Sequence, residues 1–208
     1  MIISDMHRII LILLIVISAH CSDLPAMGTI AFKGMMGFSS AKFSAGEIYD
    51  NKPLGGKLFI RPELDIYFQS INIAALFYFQ GIFGSSYGVI PLSGLGGGAL
   101  YYPAGLPLRK ASVENDTSVT RKQLAPFIGV SMGLANLAIS DTANNRSLGA
   151  VFIEAMGLGG VDYPVSESWI IGIDLAYSLS FTGSTEIAGR QASFKGMYFT
   201  FHLTFVPD

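Results

Sequence analysis

The stretch KLFIRPELDIYF, residues 57–68, alternates between two kinds of side chain. Leu58, Ile60, Pro62, Leu64, Ile66 and Phe68 share one side of an extended backbone, and Lys57, Phe59, Arg61, Glu63, Asp65 and Tyr67 share the other. This follows because successive Cβ atoms of a strand point to opposite faces. Most of the second row is charged, with both signs present. In a soluble sandwich that row would face water; in a membrane barrel it would line the interior. The pattern by itself permits both, so the rest of the chain has to decide.

The same alternation recurs. In MYFTFHLTF, residues 197–205, Met197, Phe199, Phe201, Leu203 and Phe205 oppose Tyr198, Thr200, His202 and Thr204. WIIGIDLAYSLSF, residues 169–181, sets Trp169, Ile171, Ile173, Leu175, Tyr177, Leu179 and Phe181 against Gly172, Asp174, Ala176, Ser178 and Ser180. INIAALFYFQGIF, residues 71–83, sets Ile71, Ile73, Phe77, Phe79 and Phe83 against Asn72, Ala74, Tyr78 and Gln80. Four noisier segments complete the series. Residues 28–39 place Ile30, Phe32, Met36 and Phe38 opposite Thr29, Lys33 and Ser39; residues 149–163 place Val151, Ile153, Val161 and Tyr163 opposite Glu154 and Asp162. Residues 91–102 are dominated by glycine, and residues 126–140 alternate only in their first half. Glycine within a strand allows the tight curvature a small barrel needs. Eight strands are expected.

Composition narrows the class. Half of the 208 residues are apolar and only 13% are charged, against about a quarter in ordinary soluble domains. Mean hydropathy is +0.48. A net charge of −2 supplies no basic surface for nucleic acid. Membrane helices do not explain the apolar excess. The one uninterrupted run, IILILLIVI at residues 9–17, is far short of the ~20 residues a spanning helix requires. With His7 and Arg8 before it and SAHCSDLPA after it, the run has the layout of a secretory signal peptide. Residues 1–26 are read as that signal, with cleavage in 21–26, and residues 27–208 as the barrel; an uncleaved N-terminal anchor is the alternative. Cys21 is the only cysteine, so no intramolecular disulfide and no cysteine metal cluster can form. It is either removed with the signal or lipidated, although His20 stands where a lipoprotein signal wants a small residue.

The connections also sort by length. Residues 44–56, 84–90, 140–147 and 182–191 would lie at the cell's exterior, while QS (69–70) and YPVSES (163–168) are tight turns at the periplasmic end. Residues 103–125 depart from this, being a long polar connection at the periplasmic end. The favoured reading extends the strands, with VTRKQLAPFIGV (119–130) running continuously into the fifth.

A secreted lipocalin-like barrel is the main soluble rival. It would crowd the phenylalanine faces into a narrow lumen and leave Gly, Ala, Ser and Thr outside with few charges. Inverted, small residues, hydroxyls and charges fill the lumen and the bulky groups meet lipid, with all backbone hydrogen bonds closed within the wall. The expected fold is therefore all-β: an eight-stranded, antiparallel, up-and-down transmembrane β-barrel. Phe68, Phe77, Phe79, Trp169, Tyr177, Phe181, Phe199, Phe201 and Phe205 are its lipid-facing and girdle residues.

Together with PLSGLGGGALYYPAG, APFIGVSMGLA and GLGGVDYPVSESWIIGIDLAYSLSF, these features resemble the small OmpA/OmpX-type outer-membrane barrels of Gram-negative bacteria. The resemblance implies location in the outer membrane, contact with outer-membrane lipid and lipopolysaccharide, and insertion by the outer-membrane assembly machinery through a last strand ending in an aromatic, here Phe205. Val206–Asp208 follow it, a departure from the strict form of that signal.

Lys33, Lys57, Arg61, Glu63, Asp65, Glu154, Asp162, Asp174 and His202 are the expected lumen ionic network. Buried charges must be paired or hydrated, so the leading reading is a plug in a monomeric structural or surface-interaction protein. Alternatives are a narrow pore for ions or small solutes, a lipid A-modifying enzyme, and a secreted ligand-binding barrel. His202 is the one histidine outside the signal region. No serine or threonine motif accompanies it, and no metal spacing or nucleotide fingerprint is present. No catalytic residue and no cofactor are expected.

Overall fold

The computed structural model describes residues 28–45, 49–54, 58–84, 92–107, 123–141, 146–184 and 192–207. The expected signal segment, Cys21 and Lys57 lie outside them. The described chain forms β1 (Thr29–Ala45), β2 (Tyr49–Pro53), β3 (Leu58–Phe68), β4 (Ile73–Phe83), β5 (Leu92–Tyr101), β6 (Ala125–Asp141), β7 (Arg146–Pro164), β8 (Trp169–Ser184) and β9 (Ala192–Phe205). Sequential neighbours pair antiparallel from β3 to β9, and β1 pairs with both β3 and β9, which closes the sheet. The result is an eight-stranded up-and-down barrel. β2 continues the wall beside β1 above the start of β3, with Phe43 opposite Lys52.

The wall faces as the alternation predicts. Lys33, Arg61, Glu63, Asp65, Glu154, Asp162, Asp174 and His202 are all buried within it. Phe77, Phe79, Trp169, Tyr177, Phe181, Phe199, Phe201 and Phe205 are exposed on its outside, and Phe68 is partly exposed there. The outer surface is a belt of large apolar groups: Phe79 and Val130 are 66% and 69% exposed. Closure satisfies the ladder hydrogen bonds, so such a wall can sit in hydrocarbon.

Three expectations are corrected. The strands run past the outer ends of the segments that alternation marks, β1 reaching Ala45 where residue 39 was expected and β7 spanning 19 residues from Arg146, and part of the first outer connection is itself strand β2. At the other end no strand runs continuously into the fifth from before it, because residues 123 and 124 lie outside any strand. β6 begins at Ala125, and the described residues 102–107 fold into the barrel mouth with Tyr102, Leu106 and Pro107 buried. Residues 108–122 are not described. Third, the lumen is not filled mainly by small residues and charges. Phe43, Phe59, Leu92, Leu137, Phe152 and Phe194 form an apolar layer toward the outer end. Leu76, Leu100, Tyr102, Phe127, Ile170 and Val206 form another toward the end that carries the short turns. An eight-stranded wall leaves only room that side chains can fill, and here bulky apolar ones take both ends.

Both short turns are at the expected connections, although the first covers residues 69–72 and so takes Ile71 and Asn72 out of the strand in which alternation placed them. The β3–β4 turn places Asn72 at φ 55°, a left-handed conformation that Asn tolerates better than most residues. Its carbonyl accepts from the Tyr102 N–H at 2.9 Å, tying the mouth segment to the turn.

Candidate functional site in the barrel interior

Between the two apolar layers lies a charged one, and strand register assembles it. β1 and β3 pair with Lys33 directly opposite Glu63, both on inward positions. Lys33 Nζ lies 2.9 Å from Glu63 Oε1 and 2.9 Å from Asp65 Oδ2. Glu63 Oε2 is 2.6 Å from Arg61 Nη2. The Arg61 guanidinium stacks 3.8 Å from the Tyr78 ring centroid and donates from Nη1 to Met156 Sδ at 3.2 Å. Stacking suits the planar, weakly hydrated guanidinium in a place without bulk water. On the far wall Glu154 accepts from Gln80 Nε2.

A second cluster crosses β7, β8 and β9. Asp162 pairs with Gly172, which pairs in turn with His202. Because Gly172 has no side chain, the imidazole can lie over β8; a Cβ there would collide with its ring. His202 Nε2 is 2.7 Å from Asp162 Oδ1, and Nδ1 is 2.8 Å from Asp174 Oδ2. Two carboxylate contacts call for an N–H on both ring nitrogens. The Thr200 hydroxyl donates to Asp174 at 3.3 Å, and the Tyr102 hydroxyl donates to Asp162 at 2.8 Å.

The eight described members of the expected network thus fall into two groups: Lys33, Arg61, Glu63 and Asp65 in one, and Asp162, Asp174 and His202 in the other, with Glu154 apart on Gln80. Gln80, Tyr78 and Thr200 share the lumen faces that alternation marks, but they carry no charge to single them out. Tyr102 lies past the end of β5, where no period points to it.

As a reaction centre the arrangement is poor. Both nitrogens of His202 are occupied by carboxylates, and its side chain is 0% exposed. The neighbouring hydroxyl of Thr200 is bound to Asp174 and not to the imidazole, so no base stands ready to activate it. Among the described residues no group of three or more His, Cys, Asp or Glu side chains is arranged so that it could hold a metal ion.

No family model and no curated protein matches the sequence. Among solved structures, Neisserial surface protein A aligns with 88% of this chain and 100% of its own at a TM-score of 0.58 and 13% identity. The outer membrane protease OmpT from Escherichia coli aligns over 89% and 99% at 0.46 and 8%. A major outer membrane protein from Thermus thermophilus aligns over 86% and 98% at 0.46 and 10%. The likeness to the first establishes the fold as that of a small outer-membrane barrel.

Proposed function

We propose that the protein is a bacterial outer-membrane β-barrel whose interior is plugged by its own side chains, serving as a structural or surface-interaction element of the envelope. The observation that carries this reading is the order of layers along the lumen: apolar, charged, apolar. An ion entering from either end meets large apolar side chains before any charge, and the charges beyond, Glu154 excepted, already face an opposite charge. Dehydrating an ion against such a layer costs far more than thermal energy. The apolar belt outside, the signal-like N-terminal sequence and the fold shared with Neisserial surface protein A support the location. Lipid and lipopolysaccharide are the partners such a wall meets. The buried, fully engaged His202 supports a role without catalysis.

The test combines a heat-shift gel with planar-bilayer recording on the full chain. A folded membrane barrel migrates differently before and after boiling, and the plugged barrel passes no steady current. Equal migration together with solubility in plain buffer would remove the membrane reading. A steady current from the unaltered protein would replace the plug with a pore.

A further inference from the structure

The outward residues of β9 give a depth scale. Phe205, Leu203, Phe201, Phe199 and Met197 are exposed and apolar, and the next two outward positions are Lys195 and Ser193, also exposed. At a rise of about 3.3 Å per residue and a tilt of about 40°, the apolar part covers roughly 20 Å of membrane depth. That approaches the thickness of the band such barrels present, so Lys195 stands at the outer interface. Along β1, Met36 and Phe38 are exposed and apolar, and beyond Ser40 comes Lys42, again exposed.

Register places these two lysines side by side: Lys42 is the direct partner of Lys195. Like charges opposite one another across a strand pair repel, and among the described residues no carboxylate forms an ion pair with either. They are not scattered surface lysines either. Both line a recess of about 160 Å³ whose wall also includes Ser44, Asn51, Leu179 and Ser193. Ser44 and Ser193 are themselves register partners one step farther out, and the Asn51 N–H donates to Ser44 Oγ at 2.9 Å. Two ammonium groups with hydroxyls above them and Leu179, Tyr177 and Met197 at or below them suit a ligand with the same polarity. Such a ligand carries phosphate at the interface and acyl chains beneath it.

We propose that the Lys42–Lys195 pair is a binding site for the phosphate of an outer-leaflet glycolipid, with the lipid's chains lying against β8 and β9. A phosphate oxygen between the two ammonium groups turns their mutual repulsion into two charge-assisted contacts, and the lysine stems lie along the wall while their heads stay at the interface. The inference rests on the membrane reading given above. It adds which wall is in contact with the glycolipid and which atoms hold it.

The test uses the full chain folded in detergent and in vesicles, with bisphosphorylated lipid A, monophosphoryl lipid A and phosphatidylethanolamine as probes and retention of lipid in native mass spectra as the readout. Lipid A retention should fall about tenfold or more in the Lys42→Gln/Lys195→Gln double variant. It should be largely kept in Lys42→Arg/Lys195→Arg and in Lys52→Gln, which removes an exposed charge from β2. Phosphatidylethanolamine retention should be unchanged throughout. Wild-type retention by a double Gln variant that still shows the heat shift would overturn the site while leaving the membrane barrel standing. So would displacement of lipid A by an equal concentration of inorganic phosphate, since the site would then bind a free anion. Absence of the heat shift in the unaltered protein would overturn both.

Discussion

Lys33 holds two carboxylates, Glu63 and Asp65, each at 2.9 Å, with its own side chain 1% exposed. Either acid alone would be an ordinary partner; the pair makes Lys33 the group on which two buried negative charges depend. Removing one member of a buried ion pair leaves the other uncompensated and costs about 3–5 kcal/mol. Lys33→Met, which keeps an unbranched chain one atom shorter and deletes the charge, is therefore expected to destabilise the barrel by about that much. Asp65→Asn, which leaves Lys33 with Glu63 and Glu63 with Arg61, should cost distinctly less. Urea titration of the folded barrel in vesicles, followed by tryptophan emission from Trp169, measures both, and equal loss in the two variants would contradict the pairing. The row opposite Lys33 was legible in the sequence because four charges of mixed sign share one strand face. The contact of His202 with both Asp162 and Asp174 was not. It depends on Gly172 lying between strands in register, and a single sequence does not reveal register.

At the scale of the strand, β9 carries the clearest division between faces, and its outward residues should grade in cost with depth. Phe201 lies midway along the apolar run and Phe205 at its edge beside Trp169, the two rings 5.0 Å apart. A cationic side chain facing lipid costs roughly 2–4 kcal/mol at the midplane and falls toward zero at the interface. Phe201→Arg should therefore cost several-fold more than Phe205→Arg in the same urea titration. A reversed order, or no cost in either, would mean that this face does not meet hydrocarbon. β3, β8 and β9 could be read from sequence because their two faces differ in kind. β5 and β6 could not be read as cleanly. β5 has glycines on both faces, and β6 sends Phe127 and Leu137 inward while Ile128, Val130 and Met132 face outward, so apolar residues fall on both sides and the period of two fades. Phe59 was on the inward row of its strand, but two other inward phenylalanines near the outer end were missed for a related reason. Phe43 and Phe194 lie in strand segments beyond those the alternation marked, where nothing distinguished an apolar residue facing a lumen from one facing lipid.

For the whole molecule, the proposed plug would rest on two apolar layers and not on one constriction. Phe59 and Phe152 belong to the outer apolar layer, and Tyr102 and Phe127 to the inner one, their rings 5.5 Å apart. On the plug reading, with the charge layer between them, either apolar layer alone keeps water from forming a continuous column. Phe59→Ala/Phe152→Ala should thus remain closed in planar bilayers, and so should Tyr102→Ala/Phe127→Ala, although each will lower stability by several kcal/mol through lost burial and cavity formation. Only the quadruple variant removes both barriers, and it should pass a small steady current provided its gel mobility still shifts on boiling. Its selectivity should favour cations, because the buried carboxylates Glu63, Asp65, Glu154, Asp162 and Asp174 outnumber Lys33, Arg61 and His202. Current from either double variant would assign the seal to one layer. A silent but folded quadruple variant would show that the ion-paired middle layer closes the barrel unaided, and the conductance that follows from adding Arg61→Ala would then measure how much of the barrier that layer supplies.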